Sequence, residues 1–197
     1  MNNFEQPNVE INNHKRKLKM KKVLLGLAMT AAFSFSAAHA EDVSSNLTVA
    51  AAITHGNGNC TVVPSVSSIS LSGKTDELIE QDSSATSPTF FTMRVEGDDD
   101  CLMKVNEGHI GINLSGTPSD STGMIPVLAN TDTGTAAAQG VGIGLFASDN
   151  VPVRLNQRYL TMTTAGLSLG LQMVKLTGQT PVGGTVHGAL TIDVVRL

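Results

Sequence analysis

Hydrophobic and polar residues alternate in short runs along most of the chain, and turn-forming residues separate the runs. The alternation is clearest over residues 47–53, 110–114 and 185–195. Because successive side chains of a β-strand lie on opposite faces, this period of two predicts strands with one buried face. After residue 40 no window sustains the spacing of an amphipathic helix, and we interpret the acidic run at 97–100 as a turn. The pattern therefore predicts an all-β sandwich.

The predicted strands occur at fairly regular intervals, with turn signals between them. They cover residues 47–53, 61–63, 67–71, 89–95, 109–114, 124–128, 141–145, 151–155, 166–176 and 185–195. We expect the polar residues 74–88 to form a loop with at most one helical turn. No internal repeat and no linker divides the chain after residue 40, so we expect a single domain there.

The first forty residues follow a different pattern, in which a basic cluster precedes an apolar run. Six Lys and Arg lie within residues 15–22, the apolar run covers residues 23–35, and Ala38-His39-Ala40 has small residues at both ends. This order is typical of a secretory signal peptide, which we predict over residues 1–40, with Met20 as a second candidate start. The apolar run is shorter than the roughly 20 residues of a membrane span, so an anchoring helix is the weaker alternative.

Removal of residues 1–40 makes the remaining chain decidedly acidic. It would keep 157 residues with 7 Lys and Arg against 15 Asp and Glu, a net charge of −8. Proteins that bind nucleic acid usually present a basic face, so we predict no nucleic-acid partner. We also predict no membrane span in the mature chain. Aromatic residues make up only 4% of the full chain, which argues against a sugar-stacking site.

Two cysteines, Cys60 and Cys101, remain after the predicted cleavage. An exported chain meets an oxidising compartment, so we expect them to form a disulfide bond. A metal site is the alternative, but His55, His109 and His187 are widely spaced and match no zinc pattern. The sequence therefore predicts a disulfide and no metal site.

Three motifs that suggest enzymatic or ligand chemistry lack the context that the chemistry needs. Residues 166–170 match the G-x-S-x-G pattern of a nucleophile elbow, but no acid lies between Ser168 and His187, and a strand is expected to follow. The glycines of residues 140–144 are expected in a strand and not in a dinucleotide-binding turn. The acidic residues 96–100 lack calcium-loop spacing. We therefore predict no enzyme activity and no cofactor.

The order of these features resembles the subunits of chaperone–usher pili of bacteria. Five features carry the resemblance: the alternating segment 46–53, Cys60-Thr61-Val62, Cys101 after an acidic turn, the strand at 139–145, and Gly184 as the fourteenth residue from the C-terminus. The resemblance covers essentially the whole chain after residue 40. The chain departs from the family at Ala51, where a Gly is usual, and at Arg196, where a penultimate Tyr is usual; Arg196 suggests a divergent or minor subunit.

This resemblance implies an incomplete immunoglobulin-like β-sandwich that lacks its last strand and is completed by donor-strand exchange. Residues 41–54 would be the donor-strand extension, and residues 55–197 the pilin domain. The implied donor positions are Leu47, Val49, Ala51 and Ile53. The implied acceptor-groove and chaperone-contact positions are Gly184, Val186, Leu190, Ile192 and Val194. The alternative is that the segment is merely the first strand of an ordinary closed sandwich.

The function implied by the resemblance is that of a structural subunit of an adhesive fimbria. The implied partners are a periplasmic pilus chaperone, an outer-membrane usher and neighbouring pilus subunits. The implied location is the fimbrium at the cell surface, reached through the periplasm. A minor adaptor or tip subunit that contributes directly to adhesion is one alternative, and a secreted β-sandwich enzyme is another.

Overall fold

β-Strands form most of the structure, which is a computed structural model that describes residues 42–52, 60–156 and 159–197. The predicted signal peptide lies outside the described residues. The strands are β1 (Asp42–Ala52), β2 (Thr61–Pro64), β3 (Ser68–Lys74), β4 (Ile79–Glu80), β5 (Thr89–Glu96), β6 (Ile110–Ser115), β7 (Leu128–Ala129), β8 (Val141–Phe146), β9 (Pro152–Val153), β10 (Tyr159–Thr161), β11 (Leu167–Lys175) and β12 (Gly184–Arg196). One short helix, α1 (Asp99–Asn106), lies between β5 and β6.

The strands form two sheets that enclose a shared hydrophobic core. One sheet has the order β10-β6-β12-β1-β3, and the other has the order β2-β5-β11-β8-β7, with β4 beside β11 and β9 beside β8. Leu114 and Ile192 from the first sheet belong to the same buried cluster as Met93 and Ile143 from the second. The all-β prediction is thus confirmed.

Strand β3 shows how the alternating pattern produces a one-faced strand. Ile69 and Leu71 are buried, whereas Ser68, Ser70 and Ser72 are exposed. The apolar side chains leave water on one face, while the hydroxyl groups stay hydrated on the other. The same alternation occurs along β12, which supplies the inner face of the first sheet.

Strand β8 differs because all six of its residues are buried. A second small cluster, which includes Val127, Phe146 and Leu176, covers the outer face of its sheet. A Cβ atom at Gly142 would lie 2.9 Å from the carbonyl oxygen of Leu128, so the covering segment approaches this strand closely. This confirms the interpretation of the 140–144 glycines as part of a strand.

Helix α1 lies where the sequence pattern had indicated a turn and no helix, so that prediction was wrong. The Asp98 carboxylate accepts a hydrogen bond from the Cys101 N–H (2.9 Å) and caps the helix. Asp99 and Asp100 lie in its first turn, where their negative charges are stabilised by the partial positive charge of the helix N-terminus. The acidic cluster is therefore a helix start.

The helix escaped detection because it is short and buries little. Only Cys101 and Val105 are buried in it, too few to produce an apolar period of 3.6. Within the described ranges no helix is long and apolar enough to cross a membrane.

Smaller differences concern short strands. Residues 74–88 contain β4, which the pattern did not predict, and β10 was also missed. The strand expected at residues 124–128 is reduced to Leu128–Ala129. These segments pair over two or three residues, so tertiary contacts decide them more than local sequence does.

The disulfide bond between Cys60 and Cys101 is formed, with an S–S distance of 2.03 Å. It ties the residue before β2 to α1 across a sequence separation of 41 residues. The prediction from the cysteine count is confirmed.

We expect the double variant Cys60→Ala/Cys101→Ala to lose about 3–4 kcal/mol in the free energy of unfolding, because its unfolded chain gains the freedom that the closed loop removes. Urea unfolding followed by circular dichroism measures this loss. An unchanged midpoint and slope relative to the wild type would contradict the expectation.

Candidate functional site

Strand β1 fills the space between β3 and β12, which we call the groove. It pairs with β12 in parallel along ten residue pairs, from Val43–Gly184 to Ala52–Asp193. It pairs with β3 in the antiparallel direction along seven pairs. Both edges of β1 are thus hydrogen-bonded, and the N-terminal segment occupies the groove of its own chain.

The predicted acceptor positions all lie on β12. Val186, Leu190 and Ile192 are fully buried, Val194 is nearly so, and Gly184 begins the strand. Between them, His187 is exposed on the opposite face. The alternation therefore gives the groove one apolar wall.

Three of the four predicted donor positions lie on β1. Leu47, Val49 and Ala51 are paired by backbone register with β12. Their partners, in the same order, are Gly188, Leu190 and Ile192. Ile53 lies outside the described residues. The structure thus brings the predicted donor and acceptor positions together within one chain.

Two further residues of β1 face the core, and the sequence analysis did not single them out. Val43 and Ser45 are 1% and 4% exposed. Both share the parity of Leu47, so the alternation extends two steps further towards the N-terminus. The serine at position 45 interrupted the apolar pattern that would have revealed this extension.

The loop at residues 130–138 holds the other edge of the first half of β12. The Asn130 side chain donates to the Thr185 carbonyl oxygen (3.0 Å) and accepts from the His187 N–H (2.9 Å). The Thr131 N–H donates to the His187 carbonyl oxygen (2.8 Å), and the Ala138 N–H donates to that of Thr185 (2.9 Å).

Strand β6 pairs with β12 only from residue 191 onward, so the loop satisfies backbone groups that β6 does not reach. The sequence pattern had predicted no strand and no site in this segment. Its local signal is the N-x-D-x-G spacing at residues 130–134, where each acidic or amide side chain accepts from a backbone N–H two residues on.

Gly184 is required by this loop. Its φ of 150° lies outside the range that other L-residues adopt readily. A Cβ atom there would lie 2.3 Å from the Ala136 carbonyl oxygen. The glycine at the start of β12 therefore allows the loop to approach.

Asp132 and His187 form a polar pair outside the groove. The His187 Nδ1 lies 3.1 Å from the Asp132 Oδ2, and the Asp132 side chain is 17% exposed. Hydrogen bonds from the Thr185 hydroxyl and the Gly134 N–H, together with His187, lower the pKa of Asp132 below its usual value. The charged carboxylate thus binds the loop to β12.

The remaining candidate motifs have structural surroundings. Ser168 lies within β11, opposite Thr92, and the strand continues to Lys175, so the strand–turn–helix context of a nucleophile elbow does not occur there. Among residues 42–52, 60–156 and 159–197, no group of three His, Cys, Asp or Glu is arranged to hold a metal ion. Arg196 is exposed at the end of β12, opposite Ile110.

No protein-family model and no curated protein matches this chain significantly.

We expect Gly184→Ala to lower the free energy of unfolding by about 1–3 kcal/mol, because the new methyl group forces a strained backbone against the loop. Gly73→Ala on β3 is the matched control, since its Cβ would meet only side-chain atoms, Met173 Cε at 3.4 Å and Leu78 Cδ2 at 3.9 Å. Urea unfolding of both variants measures the difference. Equal free energies of unfolding for the two variants would contradict the expectation, because the loop would then have moved to make room for the methyl group.

We expect Asp132→Asn to destabilise the protein at pH 7 and to have no effect in strong acid. The folded-state pKa is lowered, so the carboxylate contributes stability above its unfolded pKa of about 3.9 and loses it as pH falls through the folded value. Unfolding curves of wild type and variant at several pH values measure the difference. Asp120→Asn is the control, and a difference that persists unchanged in acid would contradict the role of the charge.

Proposed function

We propose that this chain is a structural subunit of an adhesive fimbria that polymerises by donor-strand exchange after chaperone–usher export. The observation that carries the proposal is that the N-terminal strand β1 lies in the groove and completes the five-stranded sheet between β3 and β12. In this proposal the chain is a structural protein that needs no catalytic residue and no cofactor.

The connection of β1 to the rest of the fold supports this role. β1 precedes Cys60, the residue from which the disulfide ties the body together, and only residues 53–59 separate the two. A strand attached by one short segment at its end can be supplied by another chain at little topological cost. The remaining strands would then form an incomplete immunoglobulin-like sandwich that lacks one strand.

The chemistry of the groove supports a strand as its occupant. Without β1, Val186, Leu190 and Ile192 would lose their cover, and the facing backbone edges of β3 and β12 would lose their hydrogen bonds. Open edges beside apolar side chains attract further strands and cause aggregation. Addition of an extended segment satisfies both needs at once.

The proposed partners follow from the requirement that a strand fill the groove at each stage. A periplasmic chaperone would supply a strand first, the outer-membrane usher would receive the complex, and residues 42–52 of a neighbouring subunit would then fill the groove. Residues 1–40 would direct export, and the Cys60–Cys101 disulfide suits an oxidising compartment.

We expect Val49→Asp/Ala51→Asp to block incorporation into fibres while export continues, because a donor strand cannot carry two charges into an apolar groove. Thr48→Asp is the control, since Thr48 directly precedes Val49 on β1 and is exposed. Electron microscopy counts fibres, and immunoblots of the periplasm measure export in cells that also produce chaperone and usher. Normal polymerisation of the double variant would refute the donor assignment.

A further inference from the structure

We propose that the free subunit is latent, because residues 42–52 close its own groove and must leave before the strand of a second copy can enter. This inference rests on the proposed function and adds a regulatory step to it. A single segment then has two mutually exclusive positions, one in its own chain and one in a neighbour.

Mutual exclusion follows from the hydrogen bonds of β1. One edge of the strand is paired with β12 from Val43 to Ala52, and the other with β3 from Asp42 to Thr48. A foreign strand has no free edge to join at either wall while β1 is present. Entry of a second copy's segment therefore requires withdrawal of the first.

The register of β1 and β12 pairs a small residue with a large one at four alternate positions of β1, whereas Val49 lies opposite Leu190. Val43 lies opposite Gly184, Leu47 opposite Gly188, and Ala51 opposite Ile192. Ser45 likewise lies opposite Val186.

A shift of β1 by two residues towards the C-terminal end of β12 would place Val43 opposite Val186 and Leu47 opposite Leu190, which are both pairs of large residues. Close packing tolerates such an increase in volume poorly. Sliding of β1 in that direction is thus disfavoured.

The fit also contains features that permit release. The Ser45 hydroxyl is buried without a hydrogen-bond partner within the described part of the chain. A buried polar group without a partner is destabilising, and parallel pairing is slightly weaker than antiparallel pairing. The closed state therefore has both edges of β1 paired, but it is less stable than it would be if the Ser45 hydroxyl had a partner and the pairing with β12 were antiparallel.

Withdrawal of β1 leaves the wall of the groove in place. β12 remains bonded to β6 over residues 191–196 and to the 130–138 loop over residues 185–187. Neither contact involves β1. The acceptor strand therefore stays in position to receive a second copy.

A disulfide lock between β1 and β3 tests the latent state. Ser44 and Ser72 are directly opposed in the antiparallel pair, and both are exposed. Opposed residues in such pairs have Cα atoms about 4.5–5.5 Å apart, a separation that suits a disulfide. The full chain carrying Ser44→Cys/Ser72→Cys is expressed with chaperone and usher, and the exported subunit is purified, oxidised and incubated for assembly.

The matched control carries Val63→Cys/Arg94→Cys, an opposed and exposed antiparallel pair on β2 and β5, neither of which pairs with β1. We expect the locked subunit to form at least tenfold fewer multimers than this control and to recover the control yield after mild reduction. The native disulfide is buried, so a thiol count can confirm that it survives the reduction.

Failure of the Ser44→Cys/Ser72→Cys pair to oxidise in a folded monomer would overturn the latent state without touching the proposed function. Assembly of the oxidised lock at the control yield would overturn both, because the locked residues 42–52 could not act as the donor strand of a neighbour. If the lock forms but neither the control nor the wild type ever assembles, the fibre function fails, and latency fails with it.

Discussion

Strand β12 carries an apolar face into the core, so the backbone groups along both of its edges need hydrogen-bonding partners. The first sheet depends on how these two edges are paired. One edge is satisfied by residues that are fixed within the fold, namely β6 and the 130–138 loop. The other edge is satisfied by β1, the segment nearest the N-terminus among the described residues. Buried backbone groups must be paired, so the second edge of β12 needs an added strand even though β6 and the 130–138 loop hold β12 in position.

In the proposed function, this asymmetry divides the molecule into a permanent part and an exchangeable one. The second sheet, with β5, β11 and β8 at its centre, pairs without any contribution from β1. The disulfide begins at Cys60, after the exchangeable segment, and therefore stabilises the body without fixing β1. Such a division is what a subunit needs if its neighbours are to complete it.

The loop at residues 130–138 gives the permanent part its rigidity at the groove. It connects β7 to β8 of the second sheet and bonds Thr185 and His187 of the first sheet through Asn130 and Thr131. The charge of Asp132 adds a hydrogen bond from the Thr185 hydroxyl, and Gly184 makes room for the loop backbone. Three consecutive loop residues and one distant glycine thus act on the same few residues of β12.

Local patterning was enough to predict the strands with one buried face, since β3 and β12 bury every second residue as their sequences alternate. The cysteine count was enough for the disulfide. Helix α1 was missed because only Cys101 and Val105 are buried in it, so capping by Asp98 and not periodicity was the available signal. The position of the 130–138 loop could not be predicted, because its partners on β12 lie about fifty residues further along the chain.

For β1, the sequence by itself determined that residues 47–53 alternate and are suited to a strand beside an apolar face. It did not determine the direction of that strand or the chain whose groove it fills. Alternation with a period of two is the same for parallel and antiparallel pairing, and for a partner within the chain or outside it. Only the tertiary structure decided these points, because β1 pairs with residues of β12 that lie more than 130 positions further along the sequence.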